Sequence, residues 1–323
     1  MRRERDQPAC QMEQATCHGH CLVSLTGVSY WHLMRVLLTG GTGFIGSRLK
    51  TRLASAGHEV QVVSRDASGD VTWAPDAIRE AVRVHDAVIH LAGESLFARR
   101  WSAHQKNRLR ASRIDTTRLL AEAVADTKPR VFITASAIGY YGTSTDRRFV
   151  AGDGPGDDFL ARLCVDWEAA RQPAIDAGVR TATVRIGVVQ GPGGGALQKM
   201  LLPFRLGLGG PVGHGRQWVS WIHLEDLLAM LAWLLENEHT HAEYNGTAPN
   251  PVSNRELSNT LGRVLRRPAI VPLPGFVLRI VLGEVANLVR DGQHVTPGRA
   301  LAQGFSFRFS EIEPALRDVL DAR

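Results

Sequence analysis

At 323 residues, with 44% apolar and 22% charged side chains, the chain has the balance of a globular protein and the length for a sizeable core. Its net charge of +6 comes from 34 arginines and 4 lysines spread without a basic block; nucleic acid is therefore not expected as a partner, whereas an anionic cofactor or substrate suits such a field. No apolar run reaches the ~18 residues that a membrane span needs, so no membrane partner is expected, and the simplest compartment is the cytoplasm.

Residues 1–33 have neither a helix nor a strand period and hold three of the four cysteines, Cys10, Cys17 and Cys21. The segment CHGHC, Cys17 to Cys21, invites a metal reading. It lacks a second pair at zinc-finger spacing, so no metal is expected. The segment reads as a disordered extension, or as the product of a start codon upstream of Met34, and stands outside the fold argument.

From Arg35 an apolar strand, Val36 to Leu38, runs into glycines at 40, 41, 43 and 46 and then into a helix, with a second strand from Val60 to Val63. Gly40 and Gly41 permit the tight turn, Gly43 lets backbone approach a pyrophosphate, and Gly46 allows close helix–strand packing. The helix N-terminus offers unpaired N–H groups to the anion. This context predicts a dinucleotide site. The end of the second strand selects the cofactor: Ser64 and Arg65 stand where NAD-binding proteins place an acid, so NADP is expected ahead of NAD. Asp66 follows one step later.

Further strands over Ala87–Leu91, Val131–Ala135 and Thr181–Val189 alternate with helices near 105–126 and 158–177. Alternation of this kind predicts an α/β, Rossmann-like, doubly wound parallel sheet. Ligands in such sheets bind outside the strands' carboxyl ends, so Leu91, Ala92, Ser136, Tyr140 and Tyr141 are expected to face one cleft. After about residue 190 the pattern turns to glycine-rich loops and helices. Three parts are therefore expected: the 1–33 extension, a Rossmann domain over 34–190, and a smaller, mostly helical substrate-side lobe over 191–323, interleaved with the Rossmann domain.

TGGTGFIG, HLAGE, SAIGYYG and WIHLEDL resemble the extended short-chain dehydrogenase/reductase superfamily. RIGVVQGPGGGALQKMLLPFRLGLGGPVGHGRQWVSWIHLEDL, NGTAPNPVSNREL and GQHVTPGRALAQGF narrow the likeness to an atypical, epimerase-like, NADP-binding branch of unresolved substrate. The resemblance runs from Met34 to about Leu320. It implies cofactor contacts across the glycine turn (Gly40, Gly41, Thr42, Gly43, Phe44, Ile45 and Gly46), at Ser64 and Arg65, at Leu91, Ala92 and Gly93, at Arg113, and near Val188.

Typical members carry a Tyr, a Lys four residues on, and often a Glu four residues after that. Anchored on Glu168, those places hold Leu160 and Cys164 here, and no lysine occurs between Lys128 and Lys199. The usual proton relay is absent. Tyr140 and Tyr141, with Ser136 as hydrogen-bond partner, are the candidate replacements, beside packing as the alternative for Tyr141. Cys164 reads as a small buried hydrophobe before it reads as a thiol base. Lys199 reads as meeting solvent or an anionic substrate. His90 and His223 read as satisfied structural histidines, and Asp226 as a helix cap or anchor. Arg216–Trp218 and Arg99–Trp101 read as cleft linings or lobe interfaces. Two functions follow: an NADP-dependent oxidoreductase or epimerase acting on a small polar substrate, or a non-catalytic NADP(H) sensor. Neither substrate nor oligomeric state is legible.

Overall fold

Val36, Leu37 and Leu38 are completely buried, and their side chains alternate between two separate cores. A strand with both faces covered reads as an unbroken apolar run, which is how a parallel sheet between helical layers declares itself. The structure, a computed structural model, describes residues 33–65 and 69–321. All but the last residue of the expected extension, the CHGHC segment and Asp66 lie outside the described residues.

Twelve strands occur among the described residues: β1 (Arg35–Thr39), β2 (Glu59–Val63), β3 (Ala87–His90), β4 (Val131–Ala137), β5 (Arg148–Phe149), β6 (Thr181–Ile186), β7 (Val188–Gln190), β8 (Trp218–Val219), β9 (Trp221–His223), β10 (Ala242–Gly246), β11 (Val252–Ser253) and β12 (His294–Val295). Six of them form one sheet in the order β10-β6-β4-β3-β1-β2, with every neighbouring pair parallel. Helices α1 (Phe44–Ser55), α2 (Pro75–Val84), α3 (Ala103–Thr127), α4 (Phe159–Ala169), α5 (Gln172–Asp176), α6 (Gly195–Arg205), α7 (Leu224–Glu236), α8 (Asn254–Leu265) and α9 (Gly275–Leu282) surround it. One core joins Val36, Leu38, Ile89 and Ile133 to Leu49 and Leu53 of α1 and the apolar face of α7. The other joins Leu37, Val88 and Phe132 to α2, α3 and α5. The doubly wound parallel sheet expected from the sequence is present.

Two expected elements are broken. The helix expected over 158–177 is two helices, because Pro173 has no N–H to continue the ladder and instead sits in the first turn of α5. The strand expected over Thr181–Val189 divides at Gly187, where a Cβ would lie 2.5 Å from the Ser220 carbonyl oxygen. Gly187 donates to the Gly246 carbonyl at 2.9 Å. Past it, β7 leaves the central sheet and pairs with β9. The chain returns to the main sheet at β10, a strand the sequence pattern did not reveal; it lies beside β6 and carries Tyr244 and Asn245 into the interior. A third core, from α6, α8 and the helix Ile312–Asp321, gathers Leu201, Phe204, Leu257, Leu261 and Leu316 with Trp221.

Candidate functional site

The glycine turn follows β1 without slack. Gly40 is left-handed (φ 72°), and a Cβ on it would come within 2.8–2.9 Å of the Leu91 and Ala92 backbone. A Cβ on Gly41 would strike the Val62 side chain at 2.7 Å, and one on Gly46 would meet the Gly40 carbonyl oxygen at 2.2 Å. The turn is therefore wedged between β2, β3 and α1, closed by Gly43 N–H donating to the Gly40 carbonyl at 3.0 Å. Gly43 caps α1 without a side chain, and the first turn of α1 carries no acid. The positive end of the helix is thus left to an outside anion. Thr42 and Gly43 are exposed at this end, while Phe44 and Ile45 are half-buried and pack against the core. The Phe44 ring holds the second glycine loop so closely that a Cβ on Gly194 would lie 2.2 Å from it.

At the end of β2, Ser64 is buried, its N–H donating to the Val71 carbonyl at 3.0 Å, and Arg65 is exposed. Asp70, the nearest described acid in sequence, spends a carboxylate oxygen on the Val62 N–H at 2.7 Å. At the end of β3, Leu91 and Ala92 are tied to Thr39 by the Leu91 N–H to its carbonyl (3.2 Å) and the Ala92 N–H to its hydroxyl (3.3 Å). Arg113 reaches from α3 to donate to the Glu94 carbonyl at 2.9 Å, and a Cβ on Gly93 would stand 3.3 Å from its guanidinium. Arg113 also lies over the Trp167 ring, 5.2 Å from its centroid. Val188, half-buried, pairs with Trp221 at the start of β7. The glycine turn thus packs against β2 and the end of β3 on the carboxyl side of β1, with Arg113 against Gly93.

Beyond β4 lies a buried polar network. The Ser136 hydroxyl donates to Glu168 Oε1 at 2.7 Å, and Glu168 receives Arg185 through two bonds of 2.8 Å. Arg185 also donates to the Tyr141 hydroxyl at 2.9 Å, and that hydroxyl donates onward to Asn245 Oδ1 at 2.7 Å. Burial alone would lower the pKa of Arg185, but the hydrogen bonds and charge of Glu168 more than offset it and raise it. Burial raises Tyr141 above the ordinary phenol value against the opposing pull of Arg185. Tyr141 is therefore a protonated, doubly engaged phenol that also stacks on Phe149, ring centroids 5.1 Å apart. Tyr140, only half-buried, has the Arg185 guanidinium 3.5 Å from its ring centroid, and burial raises its pKa too. Arg185 and Asn245 escaped the reading of the sequence. The signal for Arg185 was present: a lone arginine inside the apolar strand TATVRI.

Leu160 packs toward the turn bearing the tyrosines, its Cβ 3.3 Å from where a Gly139 Cβ would be. Cys164 is buried, and burial, aided by the charge of Glu168, pushes its thiol up to about 12, so it is no base at neutral pH. His90 Nδ1 pairs with the Thr39 hydroxyl at 2.6 Å. His223 caps α7 by accepting the Glu225 N–H at 3.1 Å. Asp226 anchors a distant segment instead of its own helix, accepting the N–H groups of Arg308 (2.8 Å) and Phe309 (3.0 Å).

Lys199 places its ammonium 4.7 Å from the Phe97 ring centroid. Arg100 donates to the Ile280 carbonyl, and Trp101 packs edge-on against Phe159. Gln217 donates to the Val212 carbonyl at 3.1 Å, Trp218 to the Thr145 carbonyl at 2.9 Å, and Arg216 is exposed. These two loops join parts of the fold, with Arg216 left on the surface.

Residues 36–245 match the NAD dependent epimerase/dehydratase family, and residues 273–319 match a domain of unknown function, DUF1731. The mouse epimerase family protein SDR39U1 is 44% identical over 295 residues, which cover 89% of this chain and 100% of the mouse protein. The Bacillus subtilis epimerase family protein YfhF is 38% identical over 302 residues, covering 90% of this chain and 99% of its own. The crystal structure of human SDR39U1 with NADPH superposes with a TM-score of 0.84 at 40% identity, covering 90% of this chain and 100% of the human one. A UDP-glucose 4-epimerase of Thermotoga maritima shares the fold at 19% identity and a TM-score of 0.74, covering 89% of this chain and 98% of its own. With the family match spanning the whole central sheet and the relatives aligned along nearly the full chain, this chain belongs to the NAD dependent epimerase/dehydratase family.

Proposed function

We propose that the protein binds NADP(H) in the crevice at the carboxyl ends of β1, β2 and β3 and uses it as an oxidoreductase on a small polar substrate. The observation that carries this reading is the glycine cradle: three positions where a Cβ cannot fit, facing an uncapped helix N-terminus free of acids. A pyrophosphate fits the N–H groups of the first turn of α1, which no side chain caps, beside the exposed Thr42, and Arg65 with Ser64 suits a 2′-phosphate. Leu91, Ala92 and Gly93 give the dinucleotide a surface to lie against. NADPH bound to the similar human protein supports this cofactor over NAD.

Bound there, the cofactor supplies a hydride. The chain's own part is to hold a proton. Tyr140 and Tyr141 both keep theirs at neutral pH, which suits a donor and not a base. Tyr141 and Ser136 already spend their hydroxyl protons within the protein. Tyr140 is therefore the proton donor in this reading, with the Arg185 cation against its ring to stabilise the phenolate as it forms. Ser136, Tyr141 and Arg113 position the site. In this reading α6, α8 and α9 close the substrate side, while α7 and β10 belong to the central sheet and its core.

A second reading, a non-catalytic NADP(H) sensor, is favoured by the apolar Leu160 and Cys164 at the dyad positions. Nicotinamide fluorescence titration with NADPH and NADH tests the shared premise: NADPH binds more tightly, and Arg65→Ala weakens NADPH while sparing NADH. Failure of both nucleotides to bind overturns both readings. NADPH consumption across a panel of small polar carbonyl compounds then separates them. Loss of turnover in Tyr140→Phe with cofactor binding intact marks the enzyme, and absence of turnover in the unsubstituted protein marks the sensor.

A further inference from the structure

From Ala177 to Leu224, and again from Leu257 to Gly283, the sequence contains no aspartate or glutamate. The fold brings the ends of these two acid-free stretches side by side. Val271 N–H donates to the Gly209 carbonyl at 3.1 Å, Leu273 N–H to the Pro211 carbonyl at 2.9 Å, and Gly213 N–H to the Leu273 carbonyl at 2.9 Å. These adjoining segments carry apolar side chains in water: Leu206 and Leu208 on one and Ile270 (79% exposed) on the other, and α9, which follows directly after Pro274, adds Phe276 (67%) and Ile280 (66%) one turn apart. Single exposed apolar residues are ordinary, but a run of them on adjoining segments marks an interaction surface.

The rim of this surface is cationic. Arg205 ends the last turn of α6, Arg279 stands between Phe276 and Ile280 on α9, and Arg266 and Arg267 follow the end of α8; all four are exposed. None of the four has an ion pair among the described residues. Arg266 and Arg267 line an open groove of about 480 Å³ with Arg263, Asn259, Ala269 and Ile270. Arginines at the border of an apolar face fit an interface that is oily within and anionic outside.

We propose that this face docks the protein peripherally on an anionic phospholipid surface, with Phe276, Ile280 and Ile270 entering the acyl boundary and the arginines meeting phosphates. The proposal is independent of the cofactor reading. The absence of a spanning run, which set aside a membrane partner at the level of sequence, does not bear on it: no described helix is long and apolar enough to cross a membrane, and α9 would lie in the surface. A second copy of the chain is a poorer occupant, because a two-fold contact would set this arginine rim against itself. The patch also lacks Trp, Tyr and Met, which protein interfaces favour.

The test is co-sedimentation of the full chain with phosphatidylcholine vesicles, with and without about 30 mol% phosphatidylserine. Binding is expected to the anionic vesicles only and to weaken with salt. Arg266→Gln with Arg267→Gln is expected to lower partitioning about 30-fold, about fivefold for each charge. Phe276→Ser with Ile280→Ser is expected to weaken it as well, with the melting temperature unchanged because both side chains are exposed. Equal binding to neutral and anionic vesicles, or none to either, overturns the proposal. So does a dimer, seen by light scattering, that the Phe276→Ser, Ile280→Ser variant converts to monomer; that result assigns the face to self-association. Binding to soluble polyglutamate as strong as to vesicles, and indifferent to Phe276 and Ile280, assigns it to an acidic protein.

Discussion

Arg185 and Glu168 are each under one-tenth exposed, and the pair ties β6, α4, Tyr141 and Ser136 into one cluster. Removing one member of a buried pair leaves a charge without compensation, which costs far more than the intact pair contributes. Arg185→Met is therefore expected to destabilise the protein by about 3–5 kcal/mol in urea unfolding. Replacing both partners with apolar residues, Glu168→Leu and Arg185→Met together, is expected to cost less than the sum of the single changes. Strict additivity would show that the two do not act as a pair.

His90 shows the opposite case, a titratable group kept neutral. Burial, helped by the charge of Arg113, lowers it from 6.5 to about 3. The unfolded chain takes up this proton below about pH 6.5 and the folded chain does not. The stability this linkage provides is present above pH 6.5 and is lost as the pH falls from there toward 3. Over that window His90→Gln is expected to flatten the fall in stability by up to about 1.4 kcal/mol per pH unit. Parallel curves for the two proteins would place the acid sensitivity elsewhere.

Among the elements, α1 shows most plainly why the glycines stand where they do. Its first turn passes so near the Gly40 carbonyl that Gly46 has no room for a methyl group. Gly46→Ala is expected to cost about 1–3 kcal/mol in urea unfolding as backbone is displaced, and to weaken NADPH binding by moving the turn. Unchanged stability would mean that the turn yields without strain. The elements the sequence left obscure share a different cause. β10 is AEYNG, five residues with no alternating or continuous apolar run, and it becomes a strand because β6 offers a free edge and the core accepts Tyr244. The break at Gly187 was hidden because TATVRI and VVQ are both rich in β-branched residues and read as one strand; what separates them is the Ser220 carbonyl, a neighbour far along the chain.

At the scale of the whole molecule, the cofactor reading makes stability depend on ligand. A ligand that binds only the folded chain stabilises it by about 2.7 kcal/mol at one hundred times its dissociation constant. Thermal unfolding is therefore expected to shift upward with NADPH, and less with NADH at the same concentration. In Arg65→Ala the difference between the two should disappear. Equal shifts in the parent protein would remove Arg65 from cofactor choice.

The strand, glycine turn and helix expected to hold the cofactor were legible because their signals are local. A strand, a glycine turn and a helix are consecutive, and the reason each glycine is there is the backbone beside it. The missing relay is legible only in part: Leu160 has no proton to move wherever the fold puts it, whereas Cys164 is set aside because burial pushes its thiol up to about 12. What remained open was whatever depended on partners far apart in sequence. Tyr141 and Ser136 looked like equal candidates with Tyr140 until Asn245, Arg185 and Glu168 came within hydrogen-bonding distance of them. Asp226 looked like a cap until it received the N–H groups of residues 308 and 309. Composition and periodicity determined the α/β sheet and the glycine turn after its first strand, because each follows from neighbours in the chain. Only tertiary structure decided which polar side chains are spent and which are left to react, because a buried hydrogen bond is satisfied by whatever the fold brings within about 3 Å.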